Sequence, residues 1–394
     1  MAAIPYSAYI HIPFCRRRCY YCDFAVSVVG DRRHGENFSP IQQYVDILCQ
    51  EIRQTAAHSA ETAMPLKTVF LGGGTPSLLA VHQLEQILAT LDQEFGIESV
   101  AEISLEIDPG TFDLSKLQGF VQLGVNRVSL GVQAFQDQLL QLCGRSHTVA
   151  EVFGAIDLIH QVDLSNFSID LISGLPHQTL EQWQESLSQA IKISPTPISH
   201  YDLIVEPVTA FGRQYEPGQS PLPSDVTAAQ MYRLAQQTLS EAGYQHYEVS
   251  NYAQPGWECR HNLTYWQNET YYGFGMGAAS FVQGYRLTRP RQRRLYFDWV
   301  ETNDYVTEAE WVESSEDRLL ETLMLGLRLA RGLSLSQLVE TFGQPTVEQL
   351  LDCLEPYQKR HWVEITPENR IRLSDPEGFL FSNTVLSSLF SQFS

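Results

Sequence analysis

What most limits the folds open to this chain is an alternation that runs through about its first 240 residues. Short β-branched runs trade places with amphipathic stretches of helical length. The runs are Ala8–Ile12, Thr68–Leu71, Glu102–Ile107, Arg127–Val132, Phe167–Ile172 and His200–Val205. Between them apolar residues recur at helical spacing in Ile41–Ala57, Leu78–Phe95, Val149–Gln161, Leu180–Ile193 and Ser224–Ala242. Strands separated by helices pair in parallel through right-handed crossovers. Six such units close only part of a barrel. The expected architecture is therefore α/β, a partial (βα)6 TIM-like barrel.

In a barrel of parallel strands, the loops after the strand C-termini build the site. Here those places are polar. Leu71 runs into Gly72-Gly-Gly-Thr-Pro76, and Leu105 leads to Glu106 and Asp108-Pro-Gly110. Val132 is followed by Gln133 and Ile169 by Asp170. Any one of these residues serves equally well to cap a loop; all of them at one end favours a site. After the first strand comes His11-Ile-Pro-Phe-Cys-Arg-Arg-Arg-Cys-Tyr-Tyr-Cys-Asp-Phe24, which brings Cys15, Cys19 and Cys22 into one loop. Thiolates suit iron–sulfur clusters and zinc. Three ligands on a four-iron cubane would leave one iron open to a substrate or cofactor. The competing zinc reading needs His11 to complete a Cys3His tetrahedron, but His11 alternates with Tyr9 and Pro13 in a strand-like run. Spacing favours iron–sulfur over zinc and leaves both open.

Charge narrows the partners. A formal net charge of −20 over 394 residues argues against nucleic acid, whose phosphates need a basic face. The run Arg289-Pro-Arg-Gln-Arg-Arg294 is the local exception, read as a solvated loop in preference to a clamp for carboxylates or phosphate. No stretch approaches the roughly 20 apolar residues that cross a bilayer, and no secretory signal is visible. The other four of the seven cysteines, Cys49, Cys143, Cys259 and Cys353, read as small buried residues. An odd, scattered set makes no disulfide framework, so a reducing, cytoplasmic setting follows.

Beyond about Tyr244 the pattern turns aromatic and glycine-rich: His246-Tyr-Glu-Val-Ser-Asn-Tyr252, Cys259-Arg-His-Asn-Leu-Thr-Tyr-Trp266 and Tyr272-Gly-Phe-Gly-Met-Gly-Ala278. Helical periodicity resumes near Glu316, and Trp362–Leu373 reads as a hairpin. Helices followed by a hairpin suggest a smaller C-terminal helical, winged-helix-like domain. From Glu316 onward seven Lys/Arg face eleven Asp/Glu, a net of −4, which disfavours DNA reading. The expected units are 1–243 (barrel), 244–314 (aromatic extension) and 315–394 (C-terminal domain).

Several of these stretches together resemble radical S-adenosylmethionine (SAM) proteins of the oxygen-independent coproporphyrinogen III oxidase-like family. The carriers are Tyr9-Ile-His-Ile-Pro-Phe-Cys15, Gly72-Gly-Gly-Thr-Pro76, Ser104-Leu-Glu-Ile-Asp-Pro109, Asn126-Arg-Val-Ser-Leu-Gly-Val-Gln-Ala-Phe135 and Ile169-Asp-Leu-Ile-Ser-Gly-Leu-Pro176. The resemblance implies that Cys15, Cys19 and Cys22 hold a [4Fe-4S] cluster whose fourth iron takes SAM. It implies that Gly73, Gly74 and Thr75 meet the SAM amino group. Glu106, Gln133, Arg145 and Asp170 would supply further polar contacts, with Tyr9 and Tyr21 flanking cluster and cofactor. The true oxidase carries another cysteine two residues past the third ligand, where this chain has Asp23-Phe24, and a long N-terminal arm, where only 14 residues precede Cys15. His261-Asn-Leu-Thr-Tyr-Trp266 instead resembles the mark of the family's haem-chaperone branch, HemW. That branch implies bound haem as cargo and haem-requiring acceptors, notably respiratory ones. An electron donor for the cluster is implied as well. Delivery to respiratory acceptors is compatible with peripheral membrane association, and cluster-dependent dimerisation is compatible too, although no surface heptad demands it. Coproporphyrinogen oxidase activity is not expected; radical decarboxylation of coproporphyrinogen III or a related tetrapyrrole is the alternative. For haem, His261 could ligate iron, with Tyr265, Trp266 and Tyr271 as walls. Equally, His261 and Asn262 could tie a loop to the barrel.

Overall fold

The computed structural model describes residues 4–31, 39–59, 64–302 and 314–393. All six expected strands form and lie side by side: β1 (Ser7–Ile12), β2 (Leu66–Gly73), β3 (Ile97–Ile107), β4 (Arg127–Gln133), β5 (Phe167–Ser173) and β6 (Pro197–Asp202). Each pairs in parallel with the next, for example Leu71 with Leu105 and Leu130 with Ile169. The last of them stops at Asp202, three residues short of the expected end; Leu203 already turns away, its N–H donating to the Ser173 carbonyl at 2.9 Å.

Both sheet edges come from the aromatic stretch. The hairpin β7 (Gln245–Glu248) and β8 (Asn251–Ala253) adds antiparallel to β6, and β9 (Tyr272–Phe274) adds parallel to β1. The sheet order is β9-β1-β2-β3-β4-β5-β6-β8-β7.

Helices α1 (Ser39–Ser59), α2 (Val81–Phe95), α3 (Leu114–Gln122), α4 (Asp137–Leu142), α5 (Val149–Gln161), α6 (Leu180–Ile193) and α7 (Asp225–Glu241) follow the strands. Their starts are written in the sequence. Thr148 accepts from the Glu151 N–H while Glu151 reaches back to the Thr148 N–H, and Thr179 and Gln182 repeat the exchange. One face of each helix buries against the sheet, as Leu84, Ile87 and Leu91 of α2 do. On β4 the alternation is complete: Val128, Leu130 and Val132 are buried in the core, while Ser129, Gly131 and Gln133 face the barrel interior.

The C-terminal unit has its own core, which includes Leu319, Leu323, Leu350, Leu354, Ile371 and Leu389. Helices Ser315–Gly326, Leu335–Phe342 and Gln344–Gln358 pack with a small antiparallel sheet in which Arg370–Leu373 is flanked by Leu333–Ser334, which lies between the first two helices, and by Val363–Ile365. This is a helical domain with a winged-helix-like hairpin. It is tied to β7 through Glu248 paired with Leu329, and through a bond of 2.9 Å from His246 Nδ1 to Asp375. No helix among the described residues is long and apolar enough to cross a membrane.

Candidate functional site

The loop after β1 carries the three cysteines, and its path is set from several sides. Phe14–Cys15 pairs with Ser27–Val28, closing the loop on itself. The Tyr20 N–H donates to the Cys143 carbonyl at 3.0 Å, and the Tyr20 carbonyl accepts from the Phe211 N–H at 2.9 Å. His11 lies beneath, one ring nitrogen 3.0 Å from the Tyr9 hydroxyl and the other 2.9 Å from the Ala25 carbonyl. Both its nitrogens are thus engaged, so the Cys3His zinc geometry is not what the loop builds.

Cys15, Cys19 and Cys22 all line one cavity of about 440 Å³ at the C-terminal mouth of the barrel, a size ordinary for a small-molecule site. Tyr21, Gly73, Gly74, Thr75, Glu106, Gln133, Arg145 and Asp170 line it too. Tyr9 does not. It lies deeper, stacked on Phe70, and acts by holding His11. Asp108, expected at this mouth from its place after β3, lines it as well, and Ser129, Tyr201 and Asp202 join it without having been singled out in the sequence. The strand alternation could have found Ser129, which stands two residues before Gly131 and four before Gln133.

The glycine loop after β2 is folded so that its donors are spent. The N–H of Gly73 goes to Glu106 Oε2 at 2.8 Å, that of Gly74 to the Ile12 carbonyl at 2.9 Å, and that of Thr75 to the Phe14 carbonyl at 2.7 Å. Only acceptors remain, which suits an ammonium and not an anion. Side chains do not fit here: a Cβ on Gly74 would stand 2.7 Å from the carbonyl oxygens of Ile12 and Phe14, and one on Gly73, at φ +105, would enter the His11 ring.

Carboxylates dominate the walls. Burial pushes the Glu106 carboxyl up to about 8; the Gly73 N–H opposes this, while Asp170 and Asp108 add to it. Burial also raises Asp170, against hydrogen bonds from Ser129, whose Oγ lies 2.8 and 2.9 Å from the two carboxylate oxygens, and from Ser199. Arg145 answers them. Its Nη2 meets Asp108 at 2.5 Å and the Gly131 carbonyl at 3.1 Å, and its Nη1 meets Cys19 Sγ at 3.3 Å. Burial works against its charge, but Asp108 and Cys19 hold its ionisation well above the ordinary range.

A carboxyl raised in the folded state favours the fold at low pH. The unliganded protein should therefore lose stability as pH rises through about 8, where Glu106 must ionise in its buried setting. Thermal melting between pH 6 and 9 checks this. The Glu106→Gln variant should show a slope flatter by roughly 3 °C across that window, and an unchanged slope would refute the assignment.

The cavity also fits a polar ligand in what it leaves open. Gln133 Oε1 and Arg145 Nε are buried without a partner. Gln133 holds φ +64, a left-handed conformation that bulges β4 against β5. The cysteines suit a soft metal centre: burial raises the Cys15 thiol to about 12, opposed by a bond from Thr75, so metal binding must displace protons.

His261 lies elsewhere, at the N-terminal end of β2, and is fully buried. Its Nδ1 is 2.7 Å from Thr68 Oγ1, its Nε2 is 2.7 Å from the Tyr265 hydroxyl, and its N–H donates to Glu102 at 3.0 Å. Burial pushes its ring down to about 3. Both ring nitrogens are bonded within the chain, so neither is turned toward a ligand. Of the two readings open from the sequence, the geometry supports the tie between helix α8 (Arg260–Trp266) and the barrel. Arg289, read from sequence as part of a solvated run, is likewise buried, paired to Glu51 at 2.8 Å. Arg291 reaches back to the cysteine loop, donating to the Asp23 carbonyl at 2.6 Å.

Comparison with known proteins agrees with this layout. The Radical SAM superfamily model matches residues 9–190 and the HemN C-terminal domain model matches residues 314–381. The heme chaperone HemW of Synechocystis is 45% identical over 98% of this chain and 97% of its own length. The heme chaperone HemW of Escherichia coli is 37% identical over 82% and 83%. The solved structure of coproporphyrinogen III oxidase (HemN) from Escherichia coli superposes with a TM-score of 0.82 at 24% identity, covering 98% of this chain and 90% of that one, a likeness of fold.

Proposed function

The chain belongs to the heme chaperone HemW family within the radical SAM proteins, and from that membership we propose that it binds haem and hands it to haem-requiring proteins. The observation that carries the reading is the 45% identity to a haem chaperone over nearly the whole of both chains. Cys15, Cys19 and Cys22 would hold a [4Fe-4S] cluster, with SAM beside it. Together these groups, when bound and reduced, supply one-electron cleavage of SAM.

The residues of the chain would do the binding and orienting. The acceptor-only glycine loop would receive the SAM ammonium, and Asp170 would take the paired ribose hydroxyls. Arg145, with an Nε still free, suits the carboxylate. Burial favours the protonated form of Glu106, and a cationic ligand beside it would favour the carboxylate. Tyr21 walls the cluster side, and Tyr9 positions His11 under the loop.

A second reading, radical decarboxylation of coproporphyrinogen III, is favoured by one observation: the polar floor of the cavity is complete, which a pure carrier does not obviously need. Asp23-Phe24, where the oxidase pattern has a further cysteine, counts against it. Anaerobic incubation of cluster-loaded protein with coproporphyrinogen III, SAM and a low-potential reductant separates the two. The expected result is substrate of unchanged mass, together with haem transfer to an apo-haemoprotein. Loss of carbon dioxide from the substrate would overturn the chaperone reading.

A further inference from the structure

The cavity has two kinds of lining. Gly73, Glu106, Ser129, Gln133 and Asp170, at strand ends, make its polar set; Phe24 and Val26 from the loop after β1, and Ile172, Leu203 and Ile204 from the ends of β5 and β6, add apolar surface among charged rim residues. Two of these mouth residues face solvent to an unusual degree, Phe24 at 56% and Ile204 at 70%, with Val208 at 68% on the same loop as Ile204. Large apolar side chains clustered at an opening mark a contact surface more often than chance exposure.

Neither side of the mouth hangs loose. Four consecutive carbonyls around Phe24 are held by cationic or imidazole groups. Arg18 Nε binds that of Cys22 at 3.2 Å, Arg291 that of Asp23 at 2.6 Å, Arg18 Nη2 that of Phe24 at 3.2 Å, and His11 that of Ala25 at 2.9 Å. Opposite, the Glu206 carbonyl accepts from both the N–H and the hydroxyl of Thr209 at 3.0 and 2.7 Å, and Phe211 is bonded to the Tyr20 carbonyl. A pinned main chain that leaves its apolar side chain in water is preorganised for a partner, because little ordering entropy is lost on contact.

We propose that Phe24 and Ile204 are the two jaws of a rigid apolar clamp that holds the haem macrocycle at the cavity mouth. The proposal rests on the haem-carrying reading above and gives the cargo a place other than His261. A flat apolar ring between two exposed jaws is covered on its faces and open at its edge, which suits a cargo that must be released. Arg17 and Arg18 stand on the same rim; Arg17 Nη2 is paired to Asp31 at 3.2 Å and Arg18 holds the two carbonyls above, so each has only its remaining N–H groups for the macrocycle's acidic side arms. Asp23, Asp202 and Glu206 also line the mouth, Asp202 being tied to Ser173 at 2.5 Å.

The test is titration of cluster-loaded protein with ferric protoporphyrin IX, followed by Soret absorbance. Phe24→Asp and Ile204→Asp should each weaken binding at least about tenfold, and Phe24→Ser and Ile204→Ser should weaken it in the same direction. Iron content and SAM affinity, unchanged throughout, report an intact floor. Aspartate and serine variants that bind like the unaltered protein would overturn the clamp, as would loss confined to His261→Ala. Sedimentation with phosphatidylglycerol vesicles that these substitutions abolish, with the Soret titration unmoved, would make the mouth a lipid-facing surface and overturn it too. If the unaltered protein gives no Soret shift at all, the haem-carrying reading itself falls, a failure distinct from that of the clamp.

Discussion

Arg289→Ala is expected to destabilise the protein by about 3–5 kcal/mol, the range for removing one partner of a buried ion pair. Arg289 and Glu51 are the most deeply buried such pair among the described residues, with side chains 2% and 0% exposed. Without the guanidinium, Glu51 keeps the Tyr296 hydroxyl at 2.6 Å and the Gly275 N–H at 2.8 Å but loses its counter-charge. Equilibrium unfolding in urea measures the loss. The double variant Arg289→Met/Glu51→Leu should recover much of it, since an apolar pair of similar volume strands no charge. A single variant as stable as the original would mean that water already solvates Glu51. The effect should reach the cysteine loop as well. The Glu51 network holds Gly275, Tyr44 donates to the His11 carbonyl at 2.7 Å and accepts from the Met276 N–H at 2.9 Å, and Arg291 holds Asp23. Loosening that brace is expected to lower iron retention at the same temperature at which the fold still survives.

The parallel sheet was legible because its strands repeat a period of two and the helices between them a period near 3.6, and long periodic runs carry that signal strongly. Short elements did not. Helices α3 and α4 span nine and six residues, too few to show a stripe, and β9 is three residues whose place beside β1 is decided by pairing across the whole chain. The site was legible for a different reason: polar residues directly after strand ends have one place to go. Arg289 misled because a run of arginines looks solvated until a distant buried carboxylate, Glu51, is known. His261 was undecidable by type, yet one clue was present. Tyr265 lies four residues on, one helical turn above, and its hydroxyl takes the imidazole nitrogen that an iron would need.

Cys19→Ser is expected to abolish cluster loading while leaving the protein folded, and Cys143→Ser is expected to leave loading intact. The contrast is sharp because the two cysteines are neighbours with opposite surroundings. Cys143 is fully buried in a small core with Leu139, Leu140 and Phe211, and burial raises its thiol to about 12. It offers the loop only its backbone carbonyl, which serine supplies equally. Cys19 lines the cavity and already accepts from Arg145. Serine at 19 keeps an acceptor for that guanidinium, so the Arg145–Asp108 pair and the fold should persist, but a hydroxyl is a poor ligand for iron beside a thiolate. Iron and acid-labile sulfide content after anaerobic reconstitution, with the melting temperature measured on the same samples, gives the readout. Iron retained at the original level in Cys19→Ser would remove that residue from the ligand set. Iron lost in both variants at unchanged melting temperature would bring Cys143 into it, and the loop would then hold its metal with a fourth thiolate from the end of α4.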